Sequence, residues 1–122
     1  MDEFAGSWIW KVDMLPKIQC FIWKSYFFSL PVKDLLVTRG IAEDSKCEGC
    51  GREVETIIHV LRDCDIAKTF WLDTGNERCD NNFFTSDLCS WLKENLRSST
   101  NLVEANVPWG VLFAFGIWGL WI

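Results

Sequence analysis

No stretch of this chain concentrates lysine and arginine. Residues 1–46 hold six Lys/Arg against six Asp/Glu, residues 47–122 hold six against eleven, and the net charge is −5. Nucleic-acid binders draw most of their affinity from phosphate neutralisation by a basic surface. The charge distribution therefore counts against strong autonomous binding, and a weak RNA or DNA contact is the most that is expected. A secretory leader is also missing, since Met1-Asp2-Glu3-Phe4 offers neither a basic n-region nor an apolar h-region. The six cysteines are accordingly read as thiols of a reducing intracellular compartment, nuclear or cytoplasmic, rather than as three disulfides. No internal repeat is visible. The apolar tail, residues 107–122, carries no charge but falls short of the roughly twenty apolar residues that span a bilayer. Pro108, Gly110, Gly116 and Gly119 interrupt it further. A buried or truncated helix is expected there, not a membrane span.

Histidine occurs only once, and that one instance is informative. His59 lies between Cys50 and Cys64, and the order Cys47-x2-Cys50-x8-His59-x4-Cys64 places four metal-ligand types within eighteen residues. Zinc takes four such ligands at roughly 2.0–2.3 Å, and a closed Cys/His set is the mark of a structural site. The alternative, buried thiols beside a core histidine, does not account for the spacing. Cys47, Cys50, His59 and Cys64 are the expected metal ligands, with one zinc per chain. Four protein ligands leave no position for a reactive water, so neither catalysis nor a small-molecule substrate is expected. Gly49 and Gly51 are expected to supply backbone freedom in the turn. Cys20, Cys79 and Cys89 remain as small buried residues.

Eight Trp and nine Phe in 122 residues demand a thick core, a large partner surface, or both. Ser7 to Val12 reads as a short aromatic strand or turn. Ile18, Phe21, Ile22, Ser25 and Phe28 recur at helical steps after Pro16, predicting a core helix that Leu30-Pro31 ends. A short helix is predicted over Val32 to Arg39, facing inward with Leu35 and Leu36 and closed by Gly40. Thr56 to Arg62 should be helical, with Ile57, Val60 and Leu61 inward. On an unbroken α-helix Cys64 would lie roughly 140° around the axis from His59. The helix must therefore end or loosen near Asp63, making Cys64 a turn ligand. A further helix is predicted over Asp65 to Leu72 with Asp65 as N-cap, then a loop over Thr74 to Phe84. Another helix follows over Leu88 to Leu96, turning Leu88, Trp91, Leu92 and Leu96 inward, and Ser98 to Asn101 reads as a linker.

The metal alone contributes less than the ordering of eighteen residues costs. Burial of Ile57, Val60 and Leu61 against a neighbour must make up the difference, and the helix around Phe21 and Trp23 is the expected partner. Glu55 either orients His59 from behind the ligands or serves as a helix-start carboxylate, the second being favoured. The aromatic set is read as core in preference to base-stacking platforms. Lys11, Lys17, Lys24, Lys33, Arg39 and Lys46 are interleaved with acids and read as ordinary solvated surface.

Trp8-Ile9-Trp10, Pro16-Lys17-Ile18, Phe21-Ile22-Trp23-Lys24, Leu30-Pro31, Asp34-Leu35-Leu36 and Arg39-Gly40-Ile41 form an ordered series with Cys47, Cys50, Glu55-Thr56, His59, Cys64 and Trp71. That series resembles the reverse transcriptase zinc-binding domain of plant LINE-type (non-LTR) retroelement proteins, over about residues 7–72. Three positions depart from the family's pattern: Glu48 replaces a usual Pro, Val32 a usual Thr, and Gly119-Leu120-Trp121-Ile122 a basic continuation. None is a metal ligand, and they suggest a drifting or truncated copy. The resemblance implies a non-catalytic accessory module that lies downstream of a polymerase and before a ribonuclease H domain. The Tyr-x-Asp-Asp hairpin of polymerase chemistry is missing, and Asp63 and Asp65 lack the strand context of a ribonuclease H carboxylate set.

The expected fold is mostly α, a small helical domain with one zinc-binding Cys-Cys-His-Cys loop. Its expected divisions are a zinc-binding part over 7–72, an extension over 73–101 and an apolar C-terminal segment over 102–122. The expected function is assistance in nucleic-acid handling beside a polymerase or ribonuclease H domain. Two alternatives stand beside it: a zinc-stabilised protein-docking module that does not touch nucleic acid, and a non-functional element remnant.

Overall fold

In the computed structural model, which describes residues 6–12, 14–75, 79–98 and 108–122, the chain is helical, with no strand among the described residues. The opening segment departs from the strand reading. Ser7–Lys11 is a 3-10 turn, because Trp8 and Ile9 must both face the core and an extended chain would send them to opposite sides.

Pro16 sits at the first position of helix α1, Pro16–Tyr26, where its missing amide costs no hydrogen bond. Ile18, Phe21, Ile22 and Ser25 are buried on one face as the stripe predicts. Ser25 is tolerated there because its hydroxyl donates to the Phe21 carbonyl at 2.9 Å. Phe28, the fifth predicted member, is instead 60 % exposed. The helix has ended by then: Phe28 takes a left-handed φ of 56°, and the Ser29 amide donates back to the Lys24 carbonyl at 2.7 Å. That closure normally uses glycine. Cys20 is also exposed, against expectation, since it lies off the buried stripe. Cys79 is buried and Cys89 half-buried.

Helix α2, Lys33–Thr38, lies within its predicted span, and Gly40 follows with φ 74°. Its apolar residues are only half-buried. Helix α3, Asp65–Gly75, starts one residue earlier than a capping Asp65 would require. Cys64 precedes it and accepts the Lys68 amide at 2.8 Å. Within the predicted loop the chain forms a short helix, α4, Asn81–Thr85, capped by the Asp80 carboxylate on the Phe83 amide at 3.0 Å. Residues 76–78 of that loop lie outside the described residues. Asp87 caps α5, Leu88–Leu96, through the Ser90 amide at 3.1 Å, and that bond holds its carboxyl below the usual range. Leu88, Trp91, Leu92 and Leu96 are all buried, as predicted. The predicted linker falls mostly on residues 99–101, outside the described residues.

The C-terminal run forms helix α6, Trp109–Trp121. No helix among the described residues is long and apolar enough to cross a membrane. Instead α6 packs on α1, α5 and the metal loop. Gly116 permits that approach, because a Cβ there would stand 2.8 Å from Trp71 Cη2 and 3.0 Å from Phe70 Cε2.

Trp71 is the hub of the core. Its ring stacks on Phe113 at 5.1 Å and meets Phe83, Trp91 and Trp109 at steeper angles, while its indole N–H donates to the Leu61 carbonyl at 2.7 Å. Edge-to-face and offset arrangements suit the ring quadrupoles. The aromatic excess thus serves chiefly as core.

Candidate metal centre

A short ribbon presents the first two cysteines. The Lys46–Val54 bridge and the Cys47 amide bond to the Glu53 carbonyl, 2.8 Å, hold its arms together. The Gly51 amide closes the turn on the Cys47 carbonyl at 2.7 Å. Gly51 has φ 69°, the conformation for which glycine was expected. Gly49 serves differently: a Cβ there would sit 3.4 Å from Cys64 Sγ and 3.6 Å from Cys47 Sγ, so its bare backbone lies directly against the sulfurs.

The other pair comes from a helical turn that changes pitch. Ile57 and Ile58 begin as α-helix, and His59–Asp63 continues as a π-helical turn. The Cys64 amide donates to the His59 carbonyl, five residues back, at 2.7 Å, and Cys64 itself is extended with ψ 146°. The required loosening is therefore a π turn. An i→i+5 bond adds roughly one residue to the turn and brings positions 59 and 64 back to one side. Ile57 and Leu61 face inward and are buried, and Val60 is half-buried. Their element packs chiefly on α3 and α6. The partner expected from sequence was α1, which instead packs on α5 and α6. The periodicity of α1 was legible, whereas α6 has no stripe to reveal it.

The Sγ atoms of Cys47, Cys50 and Cys64 and a ring nitrogen of His59 all lie within 4.8 Å of one another, so the four can hold a metal ion. Tetrahedral geometry at zinc bond lengths separates two sulfurs by about 3.8 Å, and a sulfur from a nitrogen by about 3.6 Å. Cys47 Sγ to Cys64 Sγ is 3.8 Å and Cys50 Sγ to His59 Nε2 is 3.4 Å. Both match edges of such a tetrahedron, and the sulfur pair is far longer than a disulfide. The donor set therefore fits zinc.

The thiols are not equivalent. The Arg52 and Glu53 backbone amides bring Cys50 down to about 6, with His59 and Cys47 adding to the effect. Burial pushes Cys64 up, and the neighbouring Cys47 and Cys50 add to that. Cys47 and Cys64 are buried, and Cys50 is half-buried. A cleft of about 550 Å³ opens on Cys50 and His59, lined also by Arg52, Glu53, Asp63 and Asp65. Cys47 and Cys64 instead border a recess of about 200 Å³ walled by Ile66, Ala67, Leu120 and Trp121.

Glu55 accepts the Lys33 amide on its Oε1 at 2.8 Å, and its carbonyl accepts the Asp34 amide at 3.1 Å. It thereby fastens the start of α2 to the metal loop. Lys33 Nζ lies 3.3 Å from Glu48 Oε1, and Arg52 pairs with Asp65, adding exposed ties across the loop. Three participants were not legible in the sequence. Arg62 is buried and locks the π turn to α4 and its C-cap through the Phe83 and Ser86 carbonyls, and nothing in its neighbourhood of the sequence marks it as internal. Leu120 and Trp121 back the cysteine pair from about sixty residues away.

Comparison with known proteins follows the same lines. A curated protein of Arabidopsis thaliana named "Putative ribonuclease H protein" is 28 % identical over 113 residues, covering 93 % of this chain. The chain spans only 18 % of that relative's length. No solved structure matches. The family described as zinc-binding in reverse transcriptase matches residues 2–71, which include all four members of the cluster. This chain belongs to the reverse transcriptase zinc-binding family.

Proposed function

We propose that Cys47, Cys50, His59 and Cys64 hold one structural zinc ion, and that the domain is a non-catalytic accessory module of a retroelement-type protein. The observation that carries the reading is the convergence of four ligand atoms within 4.8 Å of one another, with the Cys47–Cys64 and Cys50–His59 separations at tetrahedral edge lengths. A bound zinc would supply cross-linking only, since four protein ligands occupy a tetrahedral ion completely. The chain's own contribution is rigidity: the ribbon, the π turn and α3 are brought to one point, and Arg62 and Trp71 carry that point into the core. In this reading the module arranges a neighbouring polymerase or ribonuclease H domain and assists nucleic-acid handling through weak contacts.

One observation favours a second reading, in which docking proceeds without nucleic acid. Basic side chains near the centre already face acids, with Lys33 on Glu48, Arg52 on Asp65 and Arg62 on Asp63. Binding of the zinc-loaded chain to single-stranded and duplex RNA and DNA across a salt series separates the two. Affinity that falls steeply with salt supports nucleic-acid handling. No binding at low salt leaves docking alone.

A further inference from the structure

Two sides of the metal centre differ in access, and that difference has chemical consequences. Cys47 and Cys64 are 5 % and 4 % exposed, behind Leu120 and Trp121 of α6. Cys50 is the half-buried sulfur, on the wide cleft lined by polar and charged side chains. A small polar oxidant therefore meets Cys50 before either other sulfur. Cys47 stands three residues away across the same turn, with its sulfur inside the 4.8 Å cluster. We propose that Cys50 is a site of two-electron oxidation by a peroxide-class oxidant, resolved by Cys47 with expulsion of the metal.

The inference rests on the zinc assignment above. The Cys50 sulfur attacks the peroxide O–O bond, forming an S–O bond as hydroxide leaves; the sulfur loses two electrons and the peroxide gains them. The Cys47 sulfur then attacks the Cys50 sulfur, an S–S bond forms, the S–O bond breaks and a second hydroxide leaves. Two solvent protons convert the hydroxides to water. With two of four ligands in a disulfide, His59 and Cys64 no longer form a closed site and the ion is released. The ribbon is then uncoupled from the π turn. A thiol reductant returns two electrons, and zinc can rebind.

The test uses the full chain carrying Cys20→Ser and Cys89→Ser, which removes the more accessible thiols outside the cluster, loaded with zinc and treated with hydrogen peroxide. Zinc release is followed with a metallochromic dye, and early disulfides are mapped by peptide mass spectrometry. The expected result is two thiols lost per zinc released, an intramolecular Cys47–Cys50 bond in the first fractions, and recovery with reductant plus zinc. Zinc retained under oxidant, release without thiol loss, or a first bond between Cys47 and Cys64 would overturn the proposal. Trp121→Ala opens the rear recess and should shift early products toward Cys64; an unchanged pattern contradicts selection by access. A chain that purifies without zinc fails the zinc assignment before any oxidant is added, so the two failures are distinguishable.

Discussion

Replacing Arg62 with alanine should be among the most damaging single changes in this domain, although Arg62 touches no metal ligand. Its guanidinium is buried and makes a two-pronged pair with Asp63, at 2.7 and 3.1 Å. It donates further to the Ser86 carbonyl at 2.7 Å and the Phe83 carbonyl at 3.2 Å, and it lies 5.7 Å from the Trp91 ring centre. Asp63 is over a third exposed, so that pair is worth at most about 1 kcal/mol after solvent screening. Each carbonyl loses a charge-assisted bond of about 1.5–3 kcal/mol, the longer one at the low end. The sum is about 3–5 kcal/mol. That is a large part of the roughly 5–15 kcal/mol that holds an ordinary domain folded. Urea unfolding of zinc-loaded protein, monitored by tryptophan fluorescence, measures it directly. Arg62→Lys should cost less, since an ammonium can satisfy one carbonyl but not the whole set. A loss below about 1 kcal/mol for Arg62→Ala would refute the view that this side chain locks the π turn to the residues around α4.

Other consequences follow from particular contacts. Gly116→Ala should destabilise by about 1–3 kcal/mol, because the new methyl meets the buried Trp71 ring, and thermal unfolding reads this. Gly119→Ala meets nothing within 4 Å and should be neutral or stabilising by up to about 1 kcal/mol in the same assay. Phe28→Gly should raise stability by about 1 kcal/mol, since only the phenylalanine pays for φ 56°, and a loss would show that its ring packs usefully. Burial pushes the Cys79 thiol up to about 12, from an ordinary value near 9.0. Its folded value is raised, so its contribution is intact below pH 9 and is lost as pH climbs toward 12. The slope is at most about 1.4 kcal/mol per pH unit. Cys79→Ala should flatten the alkaline arm of a stability–pH curve by that amount.

How much could be read without coordinates depended on whether the signal was local. Helix α5 was legible because its cap, Asp87, and its stripe lie within ten residues. The grouping of the four Cys and His side chains was legible through spacing, and the angular mismatch between His59 and Cys64 required a change of pitch that the π turn supplies. Helix α4 hides among asparagines because its cap and single buried residue, Phe83, make too short a pattern. Ser7–Lys11 was ambiguous because a short aromatic run has no distinctive period. The packing of α6 on the metal loop was out of reach for a different reason. A helix apolar on all sides has no preferred face, so tertiary contacts alone decide which side is buried. Arg62 illustrates the same limit for charge, since beyond the adjacent Asp63 its partners are two backbone carbonyls more than twenty residues away.

The central claim is that four side chains close around one zinc ion and that the fold depends on it. Elemental analysis of the purified full chain, repeated for Cys50→Ser and His59→Ala, tests it most directly, with folding followed by circular dichroism. One zinc per wild-type chain, lost in both variants together with cooperative unfolding, is the predicted result. Wild-type protein that folds without zinc, or variants that retain a full equivalent, would contradict the account.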